Sequence, residues 1–150
     1  MNSVLQERIA FLKTAHPEIS YEFRLAGDDP CVMADPDLVK GILTNLLENA
    51  AEAAGEGGRI LGATSAGNGR VMVEVHDSGP GLNEQERAAV FQPTISFKKK
   101  GMGLGLSIAR KSALLSGGDL VMVKGELGGA GFRLLLPVAT NGIQTRLDRG

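Results

Sequence analysis

Four short segments hold residues whose types could do chemistry together: Asn45 to Ala50 (NLLENA), Asp77 to Gly81 (DSGPG), Phe91 to Pro93 (FQP) and Gly101 to Leu106 (GMGLGL). The first offers amide oxygens, the second a carboxylate followed by glycines, and the last a run of free backbone amides ahead of an apolar stretch. Magnesium takes oxygen ligands, keeps several waters and is commonly shared with substrate phosphates. Phosphate charge is favoured at a helix N-terminus, where unpaired N–H groups converge. A carboxylate can accept a hydrogen bond from an exocyclic amine, which tells adenine from guanine at that position. In this order the four segments describe a site for a purine triphosphate and its magnesium ion.

Positioning those groups requires particular elements. Val4, Leu5, Ile9 and Leu12 recur at helical spacing and predict a helix from Val4 to Ala15, ended by His16-Pro17. Ile19, Tyr21, Phe23 and Leu25 alternate as in a half-buried strand, and Cys31 to Met33 suggest a short further one. Asp35-Pro36 is a helix start, because the carboxylate can cap free amides while proline's fixed φ suits the first helical position. That helix is expected from Pro36 to about Ala54, with Val39, Leu43, Leu46, Leu47 and Ala50 as its apolar stripe. Asn45, Asn49 and Glu52 then share one flank at i, i+4 and i+7.

Gly55, Gly57 and Gly58 close the helix, and Arg59 to Ser65 and Arg70 to His76 read as strands joined by an Asn68-Gly69 hairpin. Val71, Val73 and Val75 face one way. Asn83 and Glu86 have capping-box spacing for a short helix ending near Val90. Leu104 to Ser116 is a further helix stopped by Gly117-Gly118, and Asp119 to Lys124 and Phe132 to Leu136 are two last strands around a glycine-rich turn.

The alternatives for each segment differ in kind. Asn45 and Asn49 are either surface amides or magnesium ligands, and Asp77 either caps its own turn or receives an amine. Gly79 and Gly81 allow a base to lie close to the backbone. GMGLGL is not the dinucleotide fingerprint GxGxxG, because Leu106 stands at the third glycine, and it follows Lys98-Lys99-Lys100 rather than a strand. No GxxxxGK[ST] loop is present. Lys98 is either a solvated loop lysine or a point charge for the terminal phosphates.

Composition narrows the function classes. A net charge of -1 gives no general attraction to nucleic acid or anionic lipid. A chain of 150 residues buries about two-thirds of its unfolded surface without metal or disulfide staples. The single cysteine, Cys31, lies between apolar neighbours and is expected to be a buried structural thiol. No apolar run reaches the roughly 20 residues that cross a bilayer, and the first residues lack a secretory-signal pattern. A reducing cytoplasm is the expected location, with any membrane anchor lying elsewhere in a parent protein.

With these residues in view, the chain resembles the ATP-binding domain of sensor histidine kinases. The four segments are similar in order and spacing to that family's N, first G, F and second G boxes. The wider superfamily, the Bergerat ATP-binding fold, includes MutL, type II topoisomerases and heat-shock chaperone ATPases. The resemblance covers about Ile19 to Val138 and implies a two-layer α/β sandwich: a mixed sheet of about five strands with three main helices on one face.

The resemblance also implies ATP and Mg2+ as ligands. It gives Asn49 the metal, Asp77 the adenine amine, and Gly101, Gly103 and Gly105 the phosphates. Carried over in full, the nucleotide set is Asn45, Asn49, Glu52, Asp77, Gly79, Gly81, Leu82, Lys98, Gly101, Met102, Gly103, Leu104, Gly105 and Leu106, with Asn45 and Lys98 as the catalytic candidates. Leu82 to Lys100 corresponds to the lid, in a short form most similar to nitrogen-regulation-type kinases.

Two departures sharpen the expectation. Relatives that hydrolyse ATP or phosphorylate serine have a glutamate, as general base, four residues before the magnesium asparagine; here that residue is Asn45. An amide cannot take a proton at neutral pH, whereas an imidazole acceptor needs no such base. Transfer to histidine is therefore favoured over an anti-sigma-type serine kinase or an ATP hydrolase. Glu52 replaces the family's commoner lysine, and Pro93 to Phe97 differs from the commoner lid pattern.

Neither His16, before a proline, nor His76, inside a strand, suits a phosphoacceptor. We therefore expect residues 1–17 to be a lead-in helix from a missing upstream module, 18–138 the ATP-binding domain and 139–150 a tail. A separate dimerisation and phosphoacceptor domain and a response regulator are the implied partners, with no nucleic acid and no membrane contact in this chain. A catalytically silent nucleotide-binding module, as in pseudokinases, is the alternative of a different class.

Overall fold

The computed structural model describes residues 1–27, 31–92 and 102–139, with side chains described from residue 105 onward in the last stretch. Among the described residues, nine elements run in the order α1 (Asn2–Ala15), β1 (Ser20–Arg24), α2 (Pro36–Ala54), β2 (Arg59–Gly67), β3 (Arg70–Asp77), α3 (Glu84–Ala89), α4 (Met102–Leu115), β4 (Asp119–Lys124) and β5 (Ala130–Pro137). The strands form one mixed sheet in the order β1-β2-β3-β5-β4, parallel only between β1 and β2. The helices α1, α2 and α4 supply the second layer, the expected two-layer α/β arrangement.

Helix α2 begins as its sequence dictates. Asp35 Oδ1 accepts the Asp37 N–H at 2.9 Å, and Pro36 occupies the first turn. It buries Val39, Ile42, Leu43, Leu46, Leu47, Ala50 and Ala51, a wider face than the expected stripe because α1 and α4 cover both of its sides. Beneath it Val71, Val73 and Val75 of β3 are fully buried at period two. Each such burial contributes roughly 1.5–3 kcal/mol relative to an exposed side chain.

Helix α1 joins the same core through Leu5, Ile9 and Leu12. Gly62 of β2 lets it approach: a Cβ there would lie 2.9 Å from Ile9 Cδ1. The β2–β3 hairpin turns on Asn68 and Gly69, both at positive φ (54° and 73°), the geometry of a type I′ turn. Helix α4 ends at Gly117 (φ 84°), where Gly118 N–H reaches the Ala113 carbonyl at 2.9 Å. Among the described residues, no helix is long and apolar enough to cross a membrane.

Two expectations are corrected. Strand β1 does not alternate cleanly between buried and exposed positions: Tyr21 is half-buried, but Phe23 is 41% exposed, because β1 is an edge strand where the helix layer gives out. Cys31 is exposed rather than buried, and residues 31–33 form no full strand. Only a single bridge joins Val32 to Val138, with Met33 N–H bonded to Pro137 O and Ala139 N–H to Cys31 O. Val32 turns inward in that pairing, so alternation sends Cys31 and Met33 outward.

Candidate nucleotide-binding site

The amide flank of α2 forms as expected. Asn45 and Asn49 are half-buried one turn apart, and Glu52 follows them on the exposed last turn of the helix. Neither asparagine side chain has a hydrogen-bond partner among the described residues. Helix α4 packs against this flank, and Gly105 is the point of approach: a Cβ on it would lie 3.7 Å from Asn45 Oδ1. Leu106, the next residue, is buried in the hydrophobic core. Met102, Gly103 and Leu104 form the first turn of α4, while Lys98 and Gly101 lie outside the described residues, as do residues 93–100 of the expected lid.

At the other end of the site Asp77 terminates β3 and is 2% exposed. Its Oδ1 accepts the N–H of Gly79 at 2.9 Å and that of Ala130 at 3.4 Å, while its carbonyl oxygen accepts Gly129 N–H at 3.1 Å. Nothing among the described residues bonds to Oδ2. Burial pushes the Asp77 carboxyl above the ordinary aspartate range, and the Gly79 and Ala130 N–H groups only partly restore it. The carboxylate therefore has one oxygen anchored by the backbone and the other left for a donor from outside.

Glycine is needed on both sides of that carboxylate. A Cβ on Gly79 would overlap the Ala53 carbonyl of α2, and one on Gly129 would overlap both Oδ1 and the carbonyl oxygen of Asp77. Ser78 fixes the exit from the sheet, its N–H bonded to Arg59 O at 3.1 Å and its Oγ receiving Arg59 N–H at 2.8 Å. Gly81 turns at φ 76° beside Gly129, and Leu82 is half-buried against the core. Asn83 and Glu86 close the reciprocal capping box of α3 at 2.7 and 2.9 Å. Phe91 then packs edge-on against Phe132 at 6.0 Å, under the Arg110 guanidinium at 5.3 Å.

A cavity of about 390 Å³ lies between α1, the first half of α2 and α4, lined by Arg8, Lys40, Thr44, Asn45, Ile108 and Ser112 among others. It shares Asn45 with the amide flank but contains neither Asn49 nor Asp77. The candidate site lies toward the Asp77 end instead, where an anchored buried carboxylate, close-approach glycines and amides unpaired among the described residues lie along one side of α2. These residues fit a purine with an exocyclic amine at Asp77. The neutral amides of Asn45 and Asn49 fit a hydrated divalent ion that brings its own phosphate charge.

Residues 34–140 match the family of histidine kinase-, DNA gyrase B- and HSP90-like ATPases. The chain belongs to this family. Among its members, the sensor protein TorS of Escherichia coli (strain K12) is 39% identical over 117 residues, 76% of this chain and 13% of TorS. The C4-dicarboxylate transport sensor protein DctS of Rhodobacter capsulatus is 33% identical over 150 residues, 95% of this chain and 22% of DctS. The chain thus spans less than a quarter of either relative.

Among solved structures, the nucleotide-free catalytic domain of the histidine kinase ThkA superposes with a TM-score of 0.84 at 32% identity, covering 91% of each chain. Full-length ShkA in complex with AMPPNP gives 0.78 at 30% identity, over 92% of this chain and 30% of ShkA. ThkA in complex with its response regulator TrrA gives 0.79 at 30%, over 93% of this chain and 40% of that one. The fold of this ATPase-family chain is that of histidine kinase catalytic domains, and ATP is its ligand class.

The sequence alone left out Gly129 and Ala130, which hold Asp77 from the β4–β5 turn, and Ala53, which walls in Gly79. The glycine-rich run from Gly125 to Gly129 was a visible signal of a turn. Only the pairing of His76 with Gly131 brings that turn to the carboxylate.

Proposed function

We propose that this chain is the ATP-binding catalytic domain of a two-component sensor histidine kinase. It transfers the γ-phosphoryl group of magnesium-ATP to a histidine on a separate dimerisation and acceptor domain, from which a response regulator receives it. The observation that carries the reading is the buried Asp77, one oxygen held by Gly79 and Ala130 and the other without a partner among the described residues, beyond the end of an α2 amide flank with no carboxylate at Asn45.

In this reading Asp77 accepts the adenine amine through Oδ2, and Gly79, Gly81 and Leu82 border the purine. Asn49, assisted by Asn45, holds the magnesium ion, with Glu52 at the margin. Gly101 to Leu106 surround the phosphates at the start of α4, and Lys98 neutralises the terminal phosphate. The bound nucleotide supplies an electrophilic phosphorus, and positioning plus charge neutralisation are what such transfers need from the protein. Asn45 cannot remove a proton from water, so hydrolysis is not assisted, while a neutral imidazole attacks without that help.

Residues 1–17 lead in from the acceptor module, and the domain works in the cytoplasm. The relatives TorS and DctS, both sensor proteins by name, support the signalling role. Calorimetric titration with a non-hydrolysable ATP analogue, with and without magnesium and against GTP, tests the binding half; equal affinity for GTP refutes it. Labelled ATP with a separate acceptor hairpin tests transfer. Label is expected on the hairpin and none on this chain, and label on His16 or His76 overturns the assignment.

A further inference from the structure

His76 is 1% exposed, yet it points to the face of the sheet opposite the helices. It is covered there by the β4–β5 turn. Its Nδ1 lies 3.1 Å from the main-chain nitrogen of Glu126, and its Nε2 lies 2.8 Å from Glu74 Oε1. A main-chain N–H can only donate, so Nδ1 is the acceptor and the ring proton sits on Nε2, directed at Glu74. Glu74 is held in turn by Arg133 at 2.7 Å, and the Glu126 side chain by Arg24 at 3.0 Å.

Glu74, His76 and Glu126 are close enough to suggest a metal site. The proton positions argue against it. A histidine ligand offers one nitrogen to the metal and donates from the other. Here the nitrogen facing the carboxylates carries the proton, and the other already accepts one.

The turn that His76 holds is the one that holds Asp77. Glu126 N–H is tied to His76, while three and four residues later Gly129 and Ala130 N–H groups are tied to the carbonyl and Oδ1 of Asp77. Adjacent residues of one strand thus grip the two ends of one turn, from opposite faces of the sheet. A Cβ on Gly131 would lie 2.7 Å from His76 Nδ1, so the ring also fills the space under the start of β5. We propose that His76 is a positioning residue for purine recognition, its Nδ1 seating the β4–β5 turn so that the Ala130 N–H keeps Asp77 Oδ1 anchored and Oδ2 free for the amine. This rests on the reading of Asp77 given above.

Two neutral replacements separate the two ring contacts. In His76→Asn the amide oxygen stands near the position of Nδ1 and can accept Glu126 N–H. In His76→Gln the amide reaches the position of Nε2 and keeps the Glu74 contact, but leaves Glu126 N–H unpaired. The readout is the affinity ratio between non-hydrolysable analogues of ATP and of inosine triphosphate, which lacks the six-position amine, with thermal melting as the folding check. The wild type and His76→Asn are expected to prefer the adenine analogue by about tenfold or more, the scale of one charge-assisted hydrogen bond. His76→Gln is expected to lose most of that ratio with its affinity for the inosine analogue unchanged.

Should His76→Gln fail to fold, Gly131→Ala carries the test, since its methyl group would crowd the imidazole off the Glu126 N–H from 2.7 Å at Nδ1 without meeting Asp77. Loss of the ratio there supports the inference and retention overturns it. For folded proteins, a ratio retained in His76→Gln, or lost equally in His76→Asn, overturns the inference. Asp77→Asn separates the two levels. If it keeps the ratio, the reading of Asp77 falls and the inference with it; if it loses the ratio while His76→Gln keeps it, the inference alone falls.

Discussion

Replacing Asp77 by asparagine is predicted to move nucleotide affinity and protein stability in different directions. The amide oxygen of the new side chain can still accept the Gly79 and Ala130 N–H groups, so the turn is kept. Its NH2 then stands where Oδ2 was, and a donor faces the donor of the adenine amine. The loss is one charge-assisted hydrogen bond, about 1.5–3 kcal/mol, which weakens binding by roughly 10- to 150-fold.

Stability follows from the proton equilibrium. Burial raises the folded-state pKa of Asp77 above its unfolded value, with the two backbone N–H groups opposing. A raised pKa means that Asp77's contribution is fully present below the unfolded value and is lost as pH rises through the folded one. At neutral pH the ionised side chain is therefore a burden, which the neutral amide removes. In the absence of nucleotide Asp77→Asn should melt at or above the wild type, by no more than a few degrees, since 1 kcal/mol shifts a domain of this size by roughly 2–4 °C. Calorimetric titration with a non-hydrolysable ATP analogue and a thermal melt of the apo proteins at pH 7 read both quantities. Wild-type affinity in the variant refutes the role of Oδ2, and a melting point many degrees lower shows that the carboxylate is there for structure.

Two further perturbations test the packing and the charge network. Gly79→Ala and Gly62→Ala add the same methyl group with different outcomes. At Gly79 it meets the rigid Ala53 carbonyl and should lower stability by about 1–3 kcal/mol, whereas at Gly62 it meets the movable end of Ile9 and should cost under about 1 kcal/mol in a urea titration. Glu74 would be raised by burial, but its hydrogen bonds to His76 and Arg133 prevail and hold it below the ordinary glutamate range; Asp119 is likewise held low by Arg110 and by the Leu120 N–H. Depressed carboxylates contribute stability above their unfolded pKa and lose it as pH falls through the folded one, so urea midpoints should drop below about pH 4.5. Arg133→Leu should flatten that drop, and an unchanged acid profile in this variant would sink the assignment of Glu74.

What the sequence revealed was local. The Asp35-Pro36 cap, the Asn68-Gly69 hairpin and the Asn83–Glu86 capping box each depend on residues within three or four positions, and each forms. The valines of β3 announced their buried face by period alone. The failures were non-local. Phe23 alternates correctly but lies on an edge strand beyond the helix layer, and Cys31 faces outward because a single bridge to Val138 sets its register. Gly62 gave no hint that a helix would lie on it, and no spacing tied Asp77 to Ala130, 53 residues away. The motifs named the ends of the candidate site, but the sheet register had to supply what holds Asp77.

That division explains why α2 governs the whole site. Its flank carries Asn45 and Asn49, and one turn beyond Asn49, about 6 Å along the axis, its Ala53 carbonyl walls in Gly79 and so fixes the loop after Asp77. In the proposed function the metal end and the purine end are thus both referenced to one helix, clamped by seven buried side chains between α1, α4 and the sheet. A change that tilts α2 must disturb both ends together. A change in the β4–β5 turn reaches only Asp77, through Gly129, Ala130 and the His76 contact behind them. On the proposed function, purine selectivity is therefore predicted to be separable from phosphate and metal affinity, because among the described residues Asp77 is held by the β4–β5 turn while the amides are carried by α2.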